Sequence, residues 1–467
     1  MKQFMRKVRG ALDAVMNGFK AIAHLSIFCG ELIYRRKLQA LHDTERDIRD
    51  LLIWRNSRRL PELDFYLARN KTWVDVNEEY HQGTWKKTKE LLFSADLLED
   101  KAAASIGLNV AQVRFIGSNI LGSIGHMSFG LAMRARMQVL GDAPVGRYFT
   151  VGSDTANDHL LRYWGKYFTH LDCTRLACRG LEETMWPLLE SIQTLRTKHG
   201  NLDYVSAHNR YSLEYERLGM PPLLSITDED LDRLQRVKVN WGIADRWLAV
   251  LHVRWDGLAS RYGRNAGIND YLPAIKKIVT NGGAVIRIGS PAMPKLPKME
   301  GVIDYAHDPQ RLPWLDIAAI ASSRFVVCTT SGPIGIAPCF GVPILWTNMP
   351  DIGKVVFLPK ILTIPKLVRD PDGQTLSLEA MFKTGSAMMD SAPVTKSVLR
   401  YNEYSWIDNS PQDIADGVDE MLKNTWANPP CELDKLWRET LSKYGTEITS
   451  RPSPIFLKKY CNILFER

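Results

Sequence analysis

Between residues 247 and 346 the chain repeats one unit: a short run apolar but for His252 and Arg287, a polar loop, and a segment of helical period ended by glycine or a polar turn. Residues 247–253, 284–288, 302–303, 325–328 and 343–346 read as five strands. Residues 270–281, 315–321 and 334–340 read as helices, with Gly282-Gly283 and Gly341 as stop signals. Strands without a polar face must be covered on both sides, and their alternation with helices predicts a parallel sheet in an α/β domain.

A less legible α/β region precedes it. Val113–Ile116 reads as a strand, GSNILGSIGH (117–126) as a glycine-rich loop, 127–137 as a helix and 148–151 as a further strand. A helix opens at Thr227-Asp-Glu-Asp230 and ends near Gly242, and Pro221-Pro222 before it mark the boundary between the two regions. At the other end, Ser410 caps a helix that continues to Met421. The segment beyond Trp426 reads as a structural helical tail in which Trp437 and Tyr444 pack.

Residues 35–106 are helical and polar in pattern. The first segment places Met5, Val8, Leu12, Val15, Phe19 and Ile22 at alternating steps of three and four, the stripe of an amphipathic helix. Such a helix either lies on an anionic membrane surface or docks on protein.

Charge separates these readings from nucleic-acid binding. The net charge is +8, yet the first 37 residues hold eight basic side chains against two acidic, so the rest is nearly balanced and forms no phosphate-binding stripe. Seven scattered cysteines without a CxxC pattern fit a reducing cytoplasm. A signal-peptide core is interrupted by Asn17, Lys20 and His24, and no apolar run is long enough to predict a spanning helix.

The chemistry is expected where the parallel strands end, since ligands of open α/β sheets bind outside the carboxyl edge. Those ends carry Arg254-Trp-Asp256, Arg287-Ile-Gly289-Ser290, Asp304-Tyr305, Thr329-Thr-Ser-Gly332 and Thr347-Asn348. Arg254, Arg261, Arg264 and Arg287 supply planar forks for phosphate oxygens, and Thr330-Ser331-Gly332 before a helix supply hydroxyls and backbone N–H groups. A diphosphate is the ligand this set implies. Taken singly, each residue has a plainer reading: His252 as a satisfied core histidine, Arg254 as a salt bridge, TTSGP as a cap and turn. GSNILGSIGH lacks the Gly-Lys-Ser/Thr ending of a P-loop and is not GxGxxG, which disfavours ATPases and dinucleotide dehydrogenases.

The order of these elements resembles a family. HVR at a strand end, Arg264-Asn265 with a downstream Tyr271-Leu-Pro273, GGAVIRIG, VIDYA, TTSGP, FGVPILWTN, Leu362-Thr-Ile-Pro-Lys366 and Ser410-Pro-Gln-Asp-Ile414 resemble a bacterial family of GT-B glycosyltransferases of the surface-polysaccharide type, over about residues 117–422. The HxR element is also similar to that of GDP-fucose-dependent fucosyltransferases, in which the arginine binds the donor diphosphate. The resemblance implies an α/β, GT-B-like fold of two Rossmann-like domains with parallel sheets. Residues 1–107 form a helical extension, 108–242 the acceptor-side domain, 243–425 the nucleotide-sugar domain and 426–467 the tail.

The same resemblance assigns roles. His252, Arg254, Arg264, Asn265, Arg287, Thr330, Ser331 and Gly332 hold the donor, with Arg254 on its β-phosphate. Gly117, Gly122 and Gly125 let acceptor and donor approach the loop backbone, and His126 is the general base with Asp256 as the alternative. The activity implied is sugar transfer from a nucleotide diphosphate to a glycan or lipid-linked hydroxyl, at the cytoplasmic side, without metal or resident cofactor. Two aspartate pairs that mimic a metal-binding DxD, Asp228-Glu-Asp230 and Asp370-Pro-Asp372, fall at a helix start and a Pro-Gly turn instead of a strand end. Two other classes share such a pocket: an NDP-sugar epimerase, which binds no acceptor, and a scaffold that only binds nucleotide.

Overall fold

The computed structural model describes residues 104, 107, 113–116, 118–142, 147–151, 155–171, 194–255, 263–350, 352, 357, 359–384, 386–388, 404–444, 446 and 450–466. The amphipathic segment 5–22, the polar helical stretch up to 103, Gly117, Asp256 and Arg261 lie outside the described residues. The chain separates into two compact units, residues 1–119 with 172–203 and residues 120–171 with 204–467.

Up to residue 240 the elements run β1 (Val113–Ile116), α1 (Ser118–Leu121), α2 (Ile124–Val139), β2 (Arg147–Val151), α3 (Asp158–Trp164), β3 (Thr169–Leu171), β4 (Thr194–Thr197), β5 (Gly200–Asp203), α4 (Tyr204–Arg217) and α5 (Asp228–Asn240). In the first unit β4 and β5 form an antiparallel hairpin. In the second, β2 and β3 pair in parallel.

The stretch 117–126 departs from the expected loop. Within it, residues 118–121 are helical, and α2 begins at Ile124, so Gly125 and His126 stand in the first turn of a long helix. Glycine costs a helix about 1 kcal/mol relative to alanine, which is why the sequence reads as a loop. Burial of Met127, Leu131, Met133, Ala135 and Met137 along α2 offsets that cost. Helices α3 and α5 carry side-chain caps, the second at the start the sequence implies: Asn157 Oδ1 accepts from Leu160 N–H at 2.8 Å, and Thr227 Oγ1 from Asp230 N–H at 3.2 Å.

The second α/β region contains β6 (Trp247–His252), α6 (Leu272–Thr280), β7 (Gly283–Arg287), β8 (Val302–Ile303), α7 (Pro313–Ala321), β9 (Phe325–Cys328), α8 (Ile336–Cys339), β10 (Ile344–Met349) and β11 (Ile361–Pro365). The sheet has six strands where the sequence suggested five, because β11 extends it beyond β10. All neighbours are parallel, in the order β11-β10-β9-β6-β7-β8. From β6 the chain winds outward through β7 and β8, then returns and winds the other way through β9, β10 and β11. The reversal lies between β6 and β9, and a doubly wound sheet opens its crevice at that switch point.

Strands β6, β7, β9, β10 and β11 are buried almost throughout, as their unbroken apolar runs require. The chain continues through β12 (Leu367–Arg369), α9 (Leu378–Lys383), β13 (Ser405–Ile407), α10 (Pro411–Leu422), α11 (Glu432–Lys443) and α12 (Pro454–Leu464). Ser410 and Asp413 make the reciprocal capping box at the start of α10. Gly417 lets α10 settle on Leu345 and Ile364 of the sheet. In the tail Trp437 is buried, and Tyr444 stacks on Phe382 with centroids 4.6 Å apart. No described helix is long and apolar enough to cross a membrane.

Candidate functional site

The two segments that leave the switch point are 253–255, after β6, and 329–332, after β9. They are stitched together. Thr329 N–H donates to His252 O at 3.1 Å, and Arg254 N–H donates to Thr329 Oγ1 at 2.9 Å. Thr329 is fully buried, so its hydroxyl fixes the Arg254 backbone, while the Arg254 side chain stays partly exposed.

Thr330 is the next residue and is partly exposed. The Trp346 indole N–H donates to Thr330 Oγ1 at 3.0 Å. Indole nitrogen only donates, so Thr330 Oγ accepts here and keeps its own O–H as a donor for another partner. The sequence marks Thr329 only as part of a polar strand end and does not single out Trp346; the signal available is a bulky donor at a strand end beside a threonine-rich one.

The helix expected over 334–340 is a 3-10 turn, Gly332–Gly335, followed by the four-residue α8. The turn packs on α2 at backbone distance. A Cβ built on Gly332 would lie 2.2 Å from Ile124 Cγ2 and 3.0 Å from Gly125 N, and one on Gly125 would lie 3.0 Å from Gly332 Cα. Gly335 similarly leaves room for Ser128 and Phe129. His126, exposed at the start of α2, thus follows directly on the residue that touches Gly332. Gly122 is an exposed turn residue between α1 and α2.

His252 is buried, at 4% exposure. Its Nδ1 donates to Ile288 O at 3.3 Å, and burial reinforced by the nearby Arg287 and Arg254 charges pushes its pKa down to about 4. It is therefore a neutral histidine whose Nδ1 ties the ends of β6 and β7 together; its buried Nε2 has no hydrogen-bond partner, so only one ring nitrogen is satisfied as a core histidine would be.

Arg287 differs from the ligand-facing arginine the sequence suggested. Its side chain is 1% exposed and pairs with Asp304 Oδ1 at 2.9 Å, and its second terminal nitrogen donates to Pro294 O at 3.1 Å. His307 joins the same cluster, with Nδ1 2.9 Å from Asp304 Oδ2 and Nε2 2.9 Å from Met293 O. The cluster ties the 289–296 loop to the ends of β7 and β8. Asp304 meets the charge of this buried arginine, although its Nε has no hydrogen-bond partner, and strand position alone does not reveal a partner 17 residues away.

The end of β10 is likewise internal. Asn348, buried in the left-handed region at φ 51°, exchanges hydrogen bonds with Asn409 and donates to Tyr271 Oη at 3.1 Å, while Tyr271 and Thr347 hydroxyls meet at 2.7 Å. Of the five polar strand ends, those of β6 and β9 present partly exposed donors together at the switch point. Arg264 and Asn265 are partly exposed, and Ala266 N–H donates to Arg254 O at 3.2 Å, which brings their segment to the same edge. Among the described residues no group of three or more His, Cys, Asp or Glu side chains is placed to hold a metal ion.

No protein-family model matches the sequence, and no curated protein matches it. Solved structures of similar shape include the ADP-heptose lipopolysaccharide heptosyltransferase II of E. coli, at 13% identity and a TM-score of 0.41, covering 68% of this chain and 100% of that one. A family 9 glycosyltransferase from Veillonella parvula matches at 11% identity and a TM-score of 0.41, over 67% of this chain and 96% of its own. An E. coli heptosyltransferase solved with ADP matches at 11% identity and a TM-score of 0.32, over 68% and 99%.

Proposed function

We propose that this protein is a GT-B-type glycosyltransferase that takes its sugar from a nucleotide-diphosphate donor seated at the β6/β9 switch point. The observation that carries the reading is that Arg254 and Thr330 stand at the two adjacent strand ends of the switch point: a guanidinium on a backbone clamped by Thr329, and a hydroxyl whose oxygen is held by the Trp346 indole and whose O–H is left to donate. Fixed donors aimed at one place bind the phosphoryl oxygens and stabilise the charge that grows on the leaving diphosphate. Ser331 and Gly332 add a hydroxyl and backbone amide, and Arg264 and Asn265 close the edge from the adjoining segment. Charge on the leaving group is met by these groups, and the reaction proceeds without a metal.

His126 takes the acceptor proton in this scheme. The contact of Gly125 with Gly332 keeps the first turn of α2 beside the diphosphate, so a hydroxyl held at His126 lies close to the donor sugar. The acceptor is a glycan or lipid-linked hydroxyl, and the setting is surface-polysaccharide synthesis at the cytoplasmic side.

The test is thermal stabilisation by a panel of nucleoside diphosphates and nucleotide sugars in EDTA, for the wild type and Arg254→Ala. Stabilisation by one nucleoside diphosphate that is lost in the variant supports the site, with a shift following RT ln(1 + [L]/Kd). Silence across the panel, or an Arg254→Ala variant that responds like wild type, overturns it. Appearance of a glycosylated acceptor, in place of an epimerised donor, then separates transfer from epimerisation.

A further inference from the structure

The segment Gly263–Ala266 is tied to Trp406 on β13 and to a buried ammonium beside the start of β12. Lys366, at the end of β11, is 3% exposed. Its Nζ donates to Asn265 O at 2.9 Å and to Asp408 Oδ1 at 2.6 Å. The antiparallel pair β12–β13 sets Leu367 opposite Ile407 and Val368 opposite Trp406, so Trp406, which lies under Gly263, and Asp408, which meets Lys366, come from the same short stretch. Gly263 rests on the Trp406 ring so closely that a Cβ on it would fall 2.7 Å from the ring carbons, and its φ of 67° is in the left-handed region. The other end of the segment reaches Arg254 through Ala266 N–H.

We infer that Lys366 is a positioning residue of the donor site. It touches no substrate; it fixes the carbonyl of Asn265 and so sets where Arg264 and Asn265 meet the diphosphate and how the Arg254 backbone is backed. This inference rests on the glycosyltransferase reading. A lysine nearly removed from water is costly to keep unless its charge is met, and Asp408 meets it. An aliphatic side chain of equal length would fill the space without holding a carbonyl. The selection of a charged group at this place is explained by the hold on Asn265, and the ion pair with the half-exposed Asp408 supplies the counter-charge.

The experiment measures nucleoside diphosphate affinity by titration in EDTA for the wild type, Lys366→Met, Arg264→Ala, the double variant and Arg254→Ala, with the unfolding midpoint of each unliganded protein recorded. Lys366→Met is expected to weaken binding about tenfold, the scale of one lost charge-assisted hydrogen bond. The double variant should lose little more than the larger single one, because both changes act through one segment. A purely structural lysine would lower the unfolding midpoint and leave the affinity of the folded fraction unchanged, and that result overturns the inference; so do additive losses in the double variant.

If Lys366→Met does not fold, Asp408→Asn decides the matter. It loosens the ammonium from a half-exposed site and should weaken binding about threefold to tenfold, on the same scale; wild-type affinity in that variant overturns the inference. Failure of the donor site itself looks different. Then the wild type binds no nucleoside diphosphate, or Arg254→Ala binds as well as wild type, and both readings fall. When Arg254→Ala is weak and Lys366→Met is normal, the Lys366 inference alone falls.

Discussion

Gly125 and Gly332 meet backbone to backbone: a methyl on the first would lie 3.0 Å from the Cα of the second, and one on the second 3.0 Å from the nitrogen of the first. Residues more than two hundred apart in sequence thereby set the distance between the first turn of α2 and the segment after β9.

Gly125→Ala gives this contact a test of sign. Alanine in a helix ordinarily stabilises by about 1 kcal/mol relative to glycine. Here the collision with Gly332 is expected to reverse that and destabilise by about 1–3 kcal/mol, the usual range for overpacking. Chemical denaturation measures it, and a stabilised variant would show that the two backbones have room.

Thr330→Val removes the hydroxyl at constant shape. It leaves the Trp346 indole N–H, in a residue 7% exposed, without its acceptor, which costs about 1–3 kcal/mol. Thr330→Ser should keep stability and nucleoside diphosphate binding, whereas Thr330→Val should lose both. Equal affinity of the serine and valine variants for the diphosphate would remove Thr330 from the site.

Arg287 and Arg254 should separate cleanly. Arg287→Met strands Asp304 beside His307 without its cation and is expected to destabilise by about 3–5 kcal/mol. Arg254→Ala changes a partly exposed side chain and should leave the unfolding midpoint within a few degrees while abolishing diphosphate binding. A stable Arg287→Met protein that has lost diphosphate affinity would return Arg287 to the ligand.

Acid should weaken the fold through His252. Its folded pKa is depressed from the ordinary 6.5 to about 4, so the neutral form is the one the fold accommodates. The stabilisation is complete above about pH 6.5; below that the unfolded chain takes up a proton that the native state refuses, and stability falls until pH 4, by about 3 kcal/mol in all. His208, buried on α4 and pushed down to about 3 by burial and then by Arg136, acts in the same sense. Denaturation midpoints for wild type and His252→Gln between pH 4 and 7 check this, and parallel pH profiles would exclude His252 as the source.

The second α/β region is readable because its strands are apolar except near their carboxyl ends, and such runs have few other uses. Strand β11 escaped notice because it is a five-residue run next to a similar one, with Lys360 at φ 54° before it. The first turn of α2 was read as loop because glycine at Gly122 and Gly125 signals flexibility locally, whereas at Gly125 the space is taken by another backbone. At the site, the sequence located the edge and the partly exposed Arg254 and Thr330. It did not separate Arg287 from them, since whether an arginine at a strand end meets a ligand or an aspartate depends on a loop fold that spacing does not encode.

The meeting of two glycines has one further effect. Side chains that touch can repack when either is exchanged, so gaps lined by them drift as sequences diverge. Two bare backbones in contact leave nothing to repack. Variation around them, at His126 or Phe129, leaves the distance between the start of α2 and the segment after β9 fixed, so side chains on either side can be exchanged without the scaffold being rebuilt.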